Sequence, residues 1–193
     1  MGQTLFEHFS FNEKETKNIK EVAKIVWGQC PDGSNILTKE TCNSIKYASG
    51  AGDIDDGKVA INPKAFTDNT RREAEKYSVC MSVAGTIGKV GITKEKISIG
   101  RAMLGVFNKN QYGLLYFTLL KYSKTMEKQA VGAIQKIINN SHLDTINVPC
   151  LSTRKLTILN DIINMCLKIE KNTINLEHLK NKLLPLLING QLK

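Results

Sequence analysis

From Ile158 onward, apolar residues recur at alternating steps of four and three. The series runs Ile158, Ile162, Met165, Ile169, Asn172, Leu176, Leu179, Leu183, Leu186, with Asn172 the one polar member. A repeat averaging 3.5 residues keeps one stripe on one side of an α-helix, the spacing of a coiled-coil seam. A helix over 154–184 would be roughly 45 Å long at about 1.5 Å per residue. A 150-residue globule has a radius of gyration of about 15 Å. Such a helix outruns its own head, and its bare stripe calls for a partner. The alternative is a core helix of a single globule. Ile163, Leu167, Ile174 and Leu184 lie off the stripe, which opens a second face to burial. Asn172 falls at a d position, where a lone polar residue fixes register at a cost in stability; it reads equally as a break in the seam. Pro185 lacks a backbone donor, so regular helix is expected to end or kink near Leu184.

The segment before the seam does not read as coil. We expect an α+β chain. Residues 1–150 form a globular head with a short-stranded sheet and flanking helices, and residues 151–193 form a dimerisation and spacer helix. Leu5, Phe6, Phe9 and Phe11 make residues 1–11 too apolar for a free tail. Ile19, Val22, Ala23 and Val26 share one face of a helix predicted over 12–27. Residues 49–57 hold three glycines and three aspartates, a loop built on tight turns and side-chain-to-backbone bonds. Val79, Met81 and Val83 alternate with Cys80 and Ser82 as a strand. Residues 97–107 read as one further strand with Gly100 as a bulge. Helix returns over 111–126, a loop begins at Gly132, and Ser152 or Thr153 caps the last helix.

Bulk properties narrow the class. The net charge is +9. Residues 89–136 carry nine basic side chains against only Glu95 and Glu127. That bias suits a polyanionic partner, and equally a solvated lysine-rich surface. No apolar run has the length of a bilayer span. The start lacks a signal-peptide layout, and Phe6 breaks the myristoylation pattern. A soluble cytoplasmic protein is expected. The five cysteines are scattered without a CxxC pair, and we read them as reduced and mostly buried. No metal site is expected from them or from the three scattered histidines.

Motifs for catalysis are weak. Gly85–Gly91 resembles a phosphate loop, but the gap before Gly-Lys is two residues instead of four and Val90 follows the lysine. A strand-to-strand turn fits better. Asp53, Asp55 and Asp56 lack the remaining ligands of a calcium loop, which favours a structural turn. No nucleophile, base and acid set stands out, so the chain is read as non-catalytic.

Several segments in order carry a resemblance. They are "IKEVAKIVWGQCPDGSN" at 19–35, "SGAGDIDDG" at 49–57, "YSVCMSVAGTIGKVGI" at 77–92, "SIGRAMLGV" at 98–106, "GAIQKIINNSHLDTINVPCLS" at 132–152 and "LKNKLLPLLINGQL" at 179–192. Together they resemble the target-recognition domain and following helix of Type I restriction–modification DNA specificity subunits. Cys30 departs from the family's usual Ser, and Cys150-Leu151-Ser152-Thr153 from its Pro-rich helix entry. A full subunit of that family has two such halves, whereas this chain has one. The resemblance therefore implies either a half-subunit that homodimerises or the second half of a longer chain.

It also implies a non-catalytic reader of double-stranded DNA, partnered by methyltransferase and restriction subunits. S-adenosylmethionine, ATP and Mg would belong to those partners, with no cofactor in this chain. Phosphate contacts are expected from Arg71, Arg72, Lys89 and Arg101. Base reading is expected from Gln29, Asn35 and Gln135. Dimerisation is expected through Ile162, Met165, Ile169, Asn172, Leu176, Leu179 and Leu183. Two other readings stay open: a recognition module of another DNA-modification system, and a coiled-coil adaptor with no DNA role.

Overall fold

A computed structural model describes residues 2–11, 13–129 and 137–188. Its centre is helix α3 (Tyr112–Gln129), buried without interruption from Tyr112 to Leu119. A four-stranded antiparallel sheet packs on it, ordered β2 (Lys24–Trp27), β10 (Met103–Phe107), β7 (Val79–Ser82), β8 (Val90–Ile92). A five-stranded sheet covers the far face of the first. Its order is β3 (Ile36–Leu37), β5 (Ala65–Thr67), β4 (Ile45–Ala48), β9 (Ile97–Ile99), β6 (Glu73–Ala74). Among the described strands only the β4–β9 pair is parallel.

The alternating side chains of a strand feed two cores here. Val79 and Met81 face the helices, while Cys80 joins Met103, Ile97 and Ile99 between the two sheets. Gly105 also lies between the sheets, where an added Cβ would sit 3.3 Å from Ile99 Cδ1. That double burial is why β7 carries no solvent-facing polar residue. Helix α1 (Gly2–Phe11) docks through Phe6, which is buried and stacks on Phe117 with ring centroids 6.0 Å apart. The apolar lead therefore packs through Phe6 and Phe9, while Phe11 is 89% exposed.

The helix predicted over 12–27 is not formed by the described residues 13–27. They divide into β1 (Thr16–Asn18), a single turn α2 (Ile19–Val22) and β2. Asn18 is the reason. Its carboxamide accepts from Lys20 N and donates to the carbonyls of Leu143, Asp144 and Ile146, which ties β1 to β11 (Asn147–Pro149). Ile25, Val26 and Trp27 are strong strand formers and pair with β10. The run 97–107 is likewise two strands and not one. Met103 N bonds Gly100 O at 2.9 Å, and this turn carries the chain from one sheet to the other. The loop at 49–57 is a braced turn. Asp53, 4% exposed, accepts from Ser49 N, Ser49 Oγ, Gly50 N and Lys64 N. Gly85 and Gly88 have φ of 72° and 88°, which is the turn chemistry expected there.

Helix α4 (Asn140–Leu143) precedes β11, and α5 (Thr153–Ile188) closes the described chain. At about 1.5 Å per residue α5 is roughly 54 Å long. It does not stop near Leu184; Pro185 lies inside it. The predicted loop from Gly132 lies outside the described residues. The cysteines are all free, but only Cys80 is buried; Cys30 and Cys42 are exposed, and Cys150 and Cys166 are half-buried. The expectation that most would be buried is corrected accordingly.

Candidate nucleic-acid interface

Close approach of two loops builds the first part of the surface. Gly28 N bonds Met103 O and Gln29 N bonds Ile99 O, both at 2.9 Å. A Cβ on Gly28 would fall 2.0 Å from Gly100 O, so this position excludes any other residue. The contact leaves Gln29, Cys30 and Arg101 exposed beside one another. Burial pushes the Cys30 thiol up, but the Arg101 backbone amide, the Tyr47 hydroxyl and the Arg101 charge together hold it below its ordinary value. Tyr47 Oη donates to Cys30 Sγ over 3.5 Å.

Arg71 and Arg72 reach the same region from the loop before β6. Arg72 O accepts from Ile99 N at 3.0 Å, and the Arg72 side chain is exposed with no ion pair to a described residue. Arg71 Nη2 pairs with Asp32 Oδ2 at 2.9 Å. Gln29, Arg71, Arg72 and Arg101 are thus gathered around the β9–β10 turn. Lys89 stands apart. It bonds Asp56 Oδ1 at 2.9 Å and Ile54 O at 3.3 Å on the far side of the 49–57 loop, so part of its charge is already neutralised. Gln135 lies outside the described residues.

Asn35 faces a different concavity. It lines a groove of about 650 Å³ with Thr41, Cys42, Asn43, Asp68 and Asn69. The β3–β5–β4 pairing brings these together, because Asn35, Asp68 and Asn43 each flank the same end of their strands. Among the described residues no hydrogen bond engages the side-chain amides of Asn35, Asn43 or Asn69. Sequence reading found Asn35 but missed Asn43, Asp68 and Asn69. No spacing links them; only sheet register does.

The helix contributes its own geometry. Leu159 and Ile163 are buried in the head's core, and Leu156, Ile162 and Leu167 pack half-buried against it. Gly113 lets α3 meet α5, since a Cβ there would lie 2.5 Å from the Leu159 carbonyl carbon. Asn160 Oδ1 accepts from Gly113 N at 2.8 Å. Glu170 closes the docking, accepting from Val59 N at 2.5 Å and Ala60 N at 3.0 Å. Beyond it every residue from Lys171 to Pro185 is exposed. On the seam, Met165 is 63% exposed, Ile169 64%, Leu176 66%, Leu179 50% and Leu183 37%. Among the described residues no helix is long and apolar enough to cross a membrane. No three His, Cys, Asp or Glu among them cluster as a metal site would need.

A head with loops gathered at its strand ends, on a helix with a bare heptad stripe, agrees with the family model for the Type I restriction modification DNA specificity domain. That model matches residues 12–178, most of the chain. The chain belongs to this family. The chain is similar to the type I restriction enzyme MjaX specificity subunit of Methanocaldococcus jannaschii. It is 28% identical over 98% of this chain and 48% of its own length. The chain therefore spans about half of that relative.

Solved structures of two specificity subunits and of a restriction endonuclease share the fold. The HsdS subunit from Thermoanaerobacter tengcongensis superposes with a TM-score of 0.66 at 17% identity, covering 99% of this chain and 50% of its own. The S subunit from M. genitalium gives 0.61 at 16%, covering 88% and 42%. The type IIG restriction endonuclease BpuSI gives 0.55 at 9%, covering 83% and 28%. The α+β architecture with a long terminal helix is thus that of specificity subunits.

Proposed function

We propose that this chain reads one half of a bipartite DNA site and sets its distance to the second half through α5. The observation that carries the reading is the extent of the family match. It takes in the head and α5 as far as residue 178. In this reading the bare seam receives a second such helix from another copy of the chain, and the paired helices become a spacer of fixed length. A rigid spacer converts protein geometry into half-site separation, as in other paired DNA readers.

The chain itself carries no chemistry in this proposal. A methyltransferase subunit holding S-adenosylmethionine, and a restriction subunit using ATP and Mg, would act where the heads place them. Arg72 and Arg101 would meet phosphates, while Gln29 and Asn35 would meet base edges. Lys89 and Arg71 would contribute less, because Asp56 and Asp32 already pair with them.

The test is co-purification of this chain with a methyltransferase subunit, followed by genome-wide mapping of methylated bases. A two-part motif with a constant gap is expected, together with a chain mass in solution twice that of the monomer. Methylation at an undivided motif, or no change in methylation when the chain is withheld, would overturn the reading.

A further inference from the structure

A second charged concavity lies where the head meets α5. It has a volume of about 360 Å³ and is lined by Lys76, Tyr77, Lys94, Asn164, Leu167, Lys168 and Lys171. Two lysines come from head turns and two from the helix. All four are exposed, and none forms an ion pair with a described residue, in contrast to Lys46, Lys89, Lys96 and Lys155. No carboxylate lines the groove. Of the nearby acids, Glu95 pairs with Lys46, Glu73 with Lys96, and Glu170 accepts from backbone amides, while Glu75, next to Lys76 in sequence, is exposed and pairs with no described residue.

The walls are held firmly. Tyr77 N donates to Thr93 O at 2.9 Å, Ser78 N to Thr93 Oγ1 at 2.9 Å, and Thr93 Oγ1 to Glu75 O at 2.6 Å. Thr93 is buried, and these bonds tie the turns bearing Lys76 and Lys94 to each other. Tyr77 has φ of 67°, a costly value for an aromatic residue, and its ring stacks on Tyr112 at 4.8 Å. Lys76 Nζ sits 5.0 Å above that ring. On the other side, the Glu170 contacts hold Lys168 and Lys171 against the head.

Strand order places this groove relative to the amide-lined one. Asn35, Asn69, Asn43, the Lys94–Lys96 turn and Lys76 all follow or precede the same ends of β3, β5, β4, β9 and β6. At about 4.8 Å between strands, that row is roughly 20 Å long. Unengaged amides stand at one end and four unpaired lysines at the other. Of the DNA contacts proposed above only Asn35 lies on this row, since Gln29, Arg72 and Arg101 sit at the opposite ends of β9 and β6. A duplex laid along the row would offer base edges to the amides and phosphates to the lysines.

We propose that the Lys76–Lys94–Lys168–Lys171 groove grips the phosphate backbone of duplex DNA next to the half-site, clamping the nucleic acid to both head and helix. This rests on the DNA-reading function proposed above. Four uncompensated cations in one groove would release counterions on binding, giving a steep and sequence-blind salt dependence.

The test titrates the 193-residue chain into a labelled 30-base-pair duplex over a salt series. It compares the parent with the quadruple variant Lys76→Gln, Lys94→Gln, Lys168→Gln, Lys171→Gln. A control carries Lys14→Gln, Lys17→Gln, Lys109→Gln, Lys121→Gln, and a quadruple Lys→Arg set in the groove tests rescue. Thermal melting checks that each is folded. The slope of log K against log salt should fall by about 0.9 for each lost phosphate contact, about 2–4 in all, only in the groove Gln variant. The Arg set should keep the parent slope. A Gln variant with the parent slope would overturn the groove while leaving DNA reading intact. So would an equal loss in the control. A Gln variant that keeps its slope but no longer captures a methyltransferase subunit would assign the groove to an acidic protein surface instead. A parent chain that binds no duplex at any salt would sink DNA reading and the groove together.

Discussion

Residues 153–170 and 171–185 belong to one helix and follow one heptad spacing, yet the first half is docked and the second is bare. The docked half rests mainly on residues off the seam, with Ile162 the seam residue that joins them. Leu156, Leu159, Ile163, Leu167 and Glu170 form an offset stripe against the head. Leu159 follows Ile158, so this stripe is rotated by about 100° from the seam. Two faces thus perform two tasks. One fixes the direction in which α5 leaves the head; the other stays free along most of its length. Ile162 is half-buried in the head, so the free stripe begins at Met165.

The sharpest way to break this division is to truncate one residue from each face. Leu159→Ala should destabilise the chain by about 2–5 kcal/mol in chemical denaturation, because the site is closed by α3 and cannot collapse freely. Met165→Ala, three-fifths exposed, should change head stability by less than about 0.5 kcal/mol. Comparable losses from both would mean that the two faces are not distinct.

Next in size is the seam itself. Leu176→Asp with Leu179→Asp should weaken self-association at least about 100-fold in sedimentation, some 3 kcal/mol, while the head's melting transition stays in place. If dimer mass and methyltransferase binding both survive, the spacer reading of α5 is wrong.

The two faces differ in how readable they are. The seam is legible in sequence because a 3.5-residue repeat is a periodic signal that survives without tertiary information. The offset stripe is not. Leu159 and Ile163 are ordinary apolar residues on a helix with several such faces, and only the missing Cβ of Gly113 selects them. The same contrast holds in the head. Phe6 in the lead, the strand at 79–82 and the braced loop at 49–57 are all visible as local patterns. Ile19, Val22 and Val26 mislead because they also satisfy helical spacing, and the pairing of β2 with β10 overrides it. The amide groove needs register from three strands, and the lysine groove needs α5 to lie against the 75–78 turn. Neither leaves a trace in spacing.

Glu170 marks the border between the halves, and its removal tests whether the border is a clamp. Glu170→Ala would leave Val59 N and Ala60 N without their acceptor. A loss of about 1–3 kcal/mol is expected. Hydrogen exchange should show faster exchange at these two amides and at the helix from about Asn164 onward. The amides of Leu156–Ile163 should keep their protection. Uniform loss along α5 would show that the helix docks as one cooperative unit with no local clamp.

The smallest expected effect concerns Asn172, the polar member of the free stripe. At a seam position an amide is less favourable than leucine by about 1 kcal/mol or somewhat more, but it admits only alignments that give the amide a polar partner. Asn172→Leu should therefore tighten self-association several-fold, and cross-linking through Glu177→Cys should change from one dominant pairing to several. Head stability should not move, since residue 172 lies beyond the Glu170 contacts. If association is unchanged and one pairing persists, Asn172 is a solvent-facing gap and register is set by the leucines around it.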